Sequence, residues 1–293
     1  MNYQTGYAFR RALEARLLKQ STEGSLSLVR LRKLIAFDRF LARLLAVQPN
    51  GWLLKGGLAL QLRLGQRART TKDVDVLLRL PRPEIGPTLL RAANLDLGDW
   101  FSFMVQRDPT PLPGPADGGW RFFVNARLDG RSFEPFHVDI GTNDPVLEPA
   151  EALTMPPLLA FAGIPPLTVL CYPLSQHLAE KVHAYAKPHE SGESTRVKDL
   201  VDILLVAESS PMAAPALHAA IRATFAAQGA MTLPARLPAP PAAWAVTYRK
   251  MAQESQLAAA TLAEATVQAQ RFLDPILGGY AQGLWVPEEQ AWT

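Results

Sequence analysis

LLKGGLALQLRLGQRARTTKDVDVLL, residues 53–78, holds a Lys55-Gly56-Gly57 turn, a short apolar helix and a basic Arg69-Thr70-Thr71-Lys72 connection, then Asp73-Val74-Asp75 in an apolar run. The run VDVLLRL, residues 74–80, is dominated by β-branched and aliphatic residues and reads as a strand. Residues two apart on a strand point the same way, so Asp73 and Asp75 share one face and Val74 and Val76 the other. Two carboxylates on one face repel each other and lose hydration together if buried, which calls for a shared cation. Hard divalent ions, Mg2+ or Mn2+, take carboxylate oxygens together with water and substrate phosphates. Paired glycines opening a helix let backbone N–H groups approach a phosphate closely. Phosphate cradle followed by metal carboxylates is the outline of a phosphoryl-transfer site.

The 293 residues suffice for one large domain or two modest ones, and 48% hydrophobic with 19% charged residues is ordinary globular composition. No apolar stretch approaches the ~20 residues that span a bilayer, so no membrane partner is expected. The N-terminus, MNYQTGYAFRRALEARLL, spreads its charges through an amphipathic pattern and lacks a signal-peptide core. A single cysteine, Cys171, excludes an intrachain disulfide and fits a cytoplasmic protein. A net charge of +3 is too small to argue for nucleic acid by itself.

The spacing predicts helices over residues 7–19 and from Ser27, the second with a buried stripe of Leu31, Leu34, Ile35, Leu41, Leu44 and Leu45. Arg30, Arg32, Lys33, Arg39 and Arg43 on that helix read as a solvated face, or alternatively as an electrostatic guide for RNA. A strand is expected at 52–54 and a helix at 58–64 stopped by Gly65. A loop at 81–87, a helical segment at 88–93 and a strand at 101–106 follow, and then a Pro/Gly/Asp loop at 108–119. Asp129-Gly130 between two extended apolar runs predicts a hairpin of residues 120–128 and 131–140. On the returning strand Phe136, Val138 and Ile140 share one face, His137 and Asp139 the other. Asp139 then reads either as a third ligand for the cation of Asp73 and Asp75 or as a strand-end carboxylate facing solvent.

Beyond Gly141 the pattern predicts a short strand at 167–171 and a helix over 176–186 with Leu178, Val182 and Tyr185 on one face and Lys181 beside them. An isolated lysine there would snorkel. After a turn at 188–193, however, Arg196-Val197-Lys198-Asp199 opens a further helix, 200–207. Asp199 and Asp202, three apart on it, pair naturally with cations on the preceding helix. For Asp202 a structural salt bridge is the competing account. The remainder, Ala-rich and mostly helical with a Pro-studded connector at 233–241, includes a helix expected at 255–272. No metal-spaced Cys/His set appears.

Taken in order, Lys55-Gly56-Gly57, Arg69-Thr70-Thr71-Lys72-Asp73-Val74-Asp75, Glu180-Lys181-Val182-His183-Ala184 and Arg196-Val197-Lys198-Asp199 resemble the AbiEii/MenT group of nucleotidyltransferase toxins, over roughly residues 32–205. The resemblance implies an α+β fold: a polymerase β-like nucleotidyltransferase mixed sheet with flanking helices, residues 1–165, followed by a mainly helical domain, 166–293, that completes the active-site cleft. It implies metal-dependent transfer of a nucleotide from an NTP, with Asp73, Asp75, Lys181 and Asp199 as catalytic residues. Nucleotide contacts would come from Lys55, Gly56, Gly57, Arg69, Lys72 and Lys198, and Mg2+ (or Mn2+) would sit on Asp73, Asp75 and Asp139. Where the family usually carries Ser or Thr beside the glycines, this chain has Leu58. The implied acceptor is the tRNA 3′ end, in a toxin–antitoxin or phage-defence setting with an antitoxin encoded nearby. The alternatives are nucleotidylation of a protein or small molecule, and a non-catalytic nucleotide-binding module.

Overall fold

Two capped helices precede the first strand. In α1 (Gly6–Glu23) the Thr5 side chain accepts from the Ala8 amide, and in α2 (Leu28–Val47) Ser27 accepts from the Arg30 amide. The computed structural model describes residues 1–24, 26–112, 119–187, 196–229 and 231–293; the expected turn at 188–193 and the middle of the loop at 108–119 lie outside them. The chain divides into two units, the first of residues 1–63, 70–143 and 150–171, the second of 64–69, 144–149 and 172–293.

In the first unit β1 (Trp52–Lys55) runs directly into α3 (Gly56–Leu64), and β2 (Asp73–Leu78), α4 (Arg82–Asn94) and β3 (Phe101–Val105) follow. Next come β4 (Thr110–Pro111), β5 (Trp120–Leu128), β6 (Arg131–Gly141), β7 (Glu151–Thr154) and β8 (Thr168–Cys171). They form one sheet in the order β3-β5-β6-β2-β1-β8-β7, with β4 on β5; β6 lies parallel to β2 and β8 parallel to β1, so the sheet is mixed. Asp129 and Gly130 both have positive φ, 52° and 72°, the pair a two-residue type I′ hairpin requires. Beyond that turn the register slips by one: Arg127 faces Ser132 but Ala126 faces Glu134, leaving Phe133 as an extra residue on β6. One sheet face is apolar, with Val74, Val76, Val124, Phe136, Val138 and Ile140 fully or nearly buried against α2 and α4.

Two expectations fail here for physical reasons. The cations of α2 form neither a solvated face nor an RNA guide. Arg43 is fully buried and donates to both Asp99 carboxylate oxygens (2.9 and 2.6 Å) and to the carbonyls of Arg39, Leu95 and Phe101. Arg39 pairs with Asp38, Arg32 donates to the Phe133 carbonyl, and Lys33 reaches Glu134 at 2.9 Å. A planar fork with this many acceptors has no lysine equivalent. Arg43→Lys is therefore expected to cost about 2 kcal/mol, read as a lower urea midpoint at unchanged m-value. The expected loop at 81–87 is instead the first half of α4. Pro83 sits in the first turn, where its missing N–H costs nothing, and burial of Ile85, Thr88, Leu89 and Ala92 outweighs the one bond lost at Pro87.

The second unit is mainly helical: α5 (Leu174–Ala186), α6 (Val197–Ser209), β9 (Met212–Ala213), α7 (Ala214–Gln228), α8 (Ala245–Glu254), α9 (Leu262–Leu277), β10 (Leu284–Val286) and β11 (Ala291–Trp292). The helix expected at 255–272 is displaced toward the C-terminus. α8 ends at Glu254, and α9 starts afresh on a capping box of Thr261 and Glu264 and runs through Pro275 to a buried Leu277. A three-stranded sheet, β11-β10-β9, was not expected. Trp285 anchors it, fully buried against Phe272 and donating to the Ala207 carbonyl at 2.7 Å. Among the described residues no helix is long and apolar enough to cross a membrane.

Candidate active site

Val74 and Val76 sink into the apolar layer, so the alternation of β2 sends Asp73 and Asp75 to the opposite face, where both are half-buried. Neighbouring strands place Asp73 beside His137, Asp75 beside Asp139 on β6, and Lys55 of β1 on the other side of Asp75. The His137 Nδ1 lies 3.2 Å from Asp73 Oδ1.

β1 then turns into α3 at Gly56, whose φ of +64° is the left-handed region. A Cβ built there would fall inside the Asp75 carboxylate, only 2.6 Å from Asp75 Cβ. The missing side chain is the space Asp75 occupies. Gly57 follows, and Leu58 goes fully into the core, so this helix opening presents backbone N–H groups rather than a hydroxyl.

Asp139 has a partner that sequence reasoning missed. Arg121 of β5, directly opposite it, donates Nε to Oδ1 (2.8 Å) and Nη2 to Oδ2 (2.6 Å), with Asp73 Oδ2 3.9 Å away. These hydrogen bonds to Asp139 hold the guanidinium above its ordinary pKa; partial burial opposes them, and the charges of Asp139, Asp73 and Asp75 add to them. Asp139 is thus held by a bidentate cation, and among the described residues no three His, Cys, Asp or Glu side chains are grouped to share a metal ion. The donor set that fits a hard divalent ion is Asp73 with Asp75: two carboxylates on one face, at a helix opening, leaving coordination positions for water and phosphate oxygens.

The other expected residues gather in the second unit. Lys181 of α5 lies 3.0 Å from Asp199 Oδ1 and 3.0 Å from Asp202 Oδ2, both on α6. Arg69 clamps Asp202 through Nε and Nη2, at 3.0 and 2.9 Å, and Arg196 reaches Asp199 at 3.4 Å. Burial alone would push Lys181 down, but Asp202 and Asp199 outweigh it and raise the ammonium above its usual value. For Asp202 burial pulls upward and is beaten by Lys181 and Arg69, which hold the carboxyl below its usual range. The salt-bridge account of Asp202 is therefore what the geometry displays. Lys181 does not snorkel but bridges two buried carboxylates. Lys72 in the first unit and Lys198 in the second are exposed.

The sequence matches the family described as nucleotidyl transferase AbiEii toxin, Type IV TA system, over residues 39–276. No curated protein matches the chain. Among solved structures it is similar to MenT4, a nucleotidyltransferase toxin from Mycobacterium tuberculosis, with 18% identity, a TM-score of 0.54, and 91% of this chain and 98% of that one covered. JHP933 from Helicobacter pylori aligns with a TM-score of 0.45 at 14% identity, covering 90% of this chain and 96% of that one.

Proposed function

The chain belongs to the AbiEii nucleotidyltransferase toxin family, and from that premise we propose that it transfers a nucleotide from an NTP to the 3′ hydroxyl of tRNA, blocking translation. The observation that carries the reading is the Asp75 carboxylate seated against the bare α-carbon of Gly56, where α3 opens. Mg2+ or Mn2+ on Asp73 and Asp75, when bound, would lower the pKa of the acceptor hydroxyl and stabilise the pyrophosphate leaving group. The residues of the chain supply the rest. Backbone N–H groups of Gly56 and Gly57 at the start of α3 hold phosphate oxygens. Arg121 cancels the charge of Asp139, which lowers the repulsion that the strand face offers a triphosphate. His137 fixes the rotamer of Asp73 through the 3.2 Å contact. Positioning and charge neutralisation carry most of such a reaction, which is why no Ser or Cys nucleophile is needed.

Arg196 and Lys198, at the start of α6, are cations of the kind that suit a polyphosphate or RNA backbone. A cytoplasmic antitoxin encoded beside the chain is the partner this reading calls for, in keeping with the toxin–antitoxin description of the family.

The test is incubation of the full chain with tRNA, each labelled NTP and Mg2+. Labelled RNA is the expected product, a chelator should remove it, and added Mn2+ should restore it. No labelled RNA with any NTP would sink the tRNA reading. Label retained in the presence of excess chelator would sink the metal.

A further inference from the structure

The face of the sheet turned away from the core does not end at the carboxylates. Following the register outward, one cross-strand row runs Asp73, His137, Phe123, and the next runs Asp75, Asp139, Arg121. Phe123 and His137 stand edge to face with ring centroids 5.7 Å apart. Diagonal to Phe123, on β3, Met104 is 57% exposed, and Phe123 itself is 40% exposed. Arg127, four residues further along β5 and on the same face, donates to the Met104 sulfur at 3.9 Å and to the Gly130 carbonyl. Isolated exposed apolar side chains need no explanation. Here an aromatic pair, a thioether and two arginines share one open sheet face, and the aromatic row leads straight into Asp73.

We propose that this face of β3, β5 and β6 is a single-strand platform that carries the unpaired 3′ end of the RNA acceptor to the carboxylates; it rests on the RNA-acceptor reading above. The chemistry matches such a strand in three respects. Every base has a π-face, so an exposed aromatic pair on a sheet stacks bases without reading their identity. Arginine contacts phosphate and stacks on bases, and Arg127 and Arg121 flank the ring pair along β5. The neutralised Asp139 lets a polyanion pass a face that would otherwise repel it. A base stacked on Phe123 therefore lies in the cross-strand row of Asp73, two strands away.

Binding separates this platform from the reaction. Anisotropy of a labelled single-stranded oligoribonucleotide is measured with the full chain and no NTP, and nucleotide transfer is assayed in parallel. Phe123→Leu keeps the apolar bulk and loses the ring, so affinity is expected to fall about 5- to 100-fold, while Phe123→Tyr binds like wild type. Arg127→Gln should reduce the slope of log K against log salt by about 0.7, one single-strand phosphate contact. Wild-type affinity in Phe123→Leu, with RNA still labelled, overturns the platform and leaves the transfer reaction standing. A wild-type chain that binds no RNA but labels cellular protein with nucleotide overturns the platform together with the RNA acceptor.

Discussion

Gly56→Ala is expected to lower nucleotide transfer by about 100- to 1,000-fold, close to the effect of Asp75→Ala, while the protein stays folded. Two penalties meet at this position. An alanine at φ +64° costs about 1 kcal/mol in the left-handed region, and its Cβ needs the volume that the Asp75 carboxylate fills. Something must move. Leu54, Val74 and Val76 are fully buried, so the two strands cannot spread without opening the core, whereas Asp75 is only half-buried and can rotate. The variant should therefore lose about 1–2 kcal/mol of stability, a melting shift of a few degrees, and nearly all of its transfer rate. Labelled-NTP incorporation beside a thermal melt checks both. Transfer at half the wild-type rate would mean that Asp75 is not needed where it sits.

Lys181→Ala should act in the opposite proportion, costing about 3–5 kcal/mol because it strands Asp199 and Asp202, each 2% exposed, with less than their full share of positive charge. The pH dependence carries a sign that tests the cause. In the wild type Lys181 is raised, so its contribution is complete below the unfolded value of about 10.4 and is lost only as pH climbs through the higher folded one. Asp202 is lowered, so its contribution holds above about 3.9 and is lost as pH falls through the lower folded value. Between those limits the contribution of Lys181 and Asp202 should be flat. In the variant Asp202 loses one of the two cations that hold its carboxyl down, so the deficit should be largest at neutral pH and shrink as pH falls into the carboxylate range. Urea melts at several pH values measure it, and a deficit that does not change with pH would rule out unpaired carboxylates as the cause. Transfer assayed below the melting temperature of the variant then reports whether Lys181 does anything for the reaction beyond holding α5 to α6.

What could be read from residues alone followed the strength of local rules. Alternation along residues 73–78 and 136–140 placed Asp73, Asp75, His137 and Asp139 on one face because a period of two leaves no other choice. Asp129-Gly130 announced its hairpin for the same reason. The arginines of α2 were misjudged because a helical wheel has no way to represent Asp99, more than fifty residues away, which makes burying Arg43 tolerable. Arg121 was missed although its signal was present. Phe133 and Phe136 are both apolar and three apart on one strand, which strict alternation forbids and an extra residue explains. Counting back from the turn with that extra residue puts Arg121 opposite Asp139. Nothing local distinguished the final strands, whose pairing depends on a tryptophan finding Phe272 and the Ala207 carbonyl.

That extra residue at Phe133 makes the hairpin a device governed by odd and even numbers. Between the turn and Asp139 the chain holds one unpaired residue, and the count decides which side of the sheet each later side chain faces. Deleting Phe133, or inserting a single residue after it, would invert the rest of β6: His137 and Asp139 would face the apolar layer while Val138 and Ile140 faced water. Inserting two would keep the orientation and slide Asp139 one row past Asp75. Homologues should therefore vary in length at the Asp129-Gly130 tip, where both strands can lengthen together, and hold a fixed length from Phe133 to Asp139.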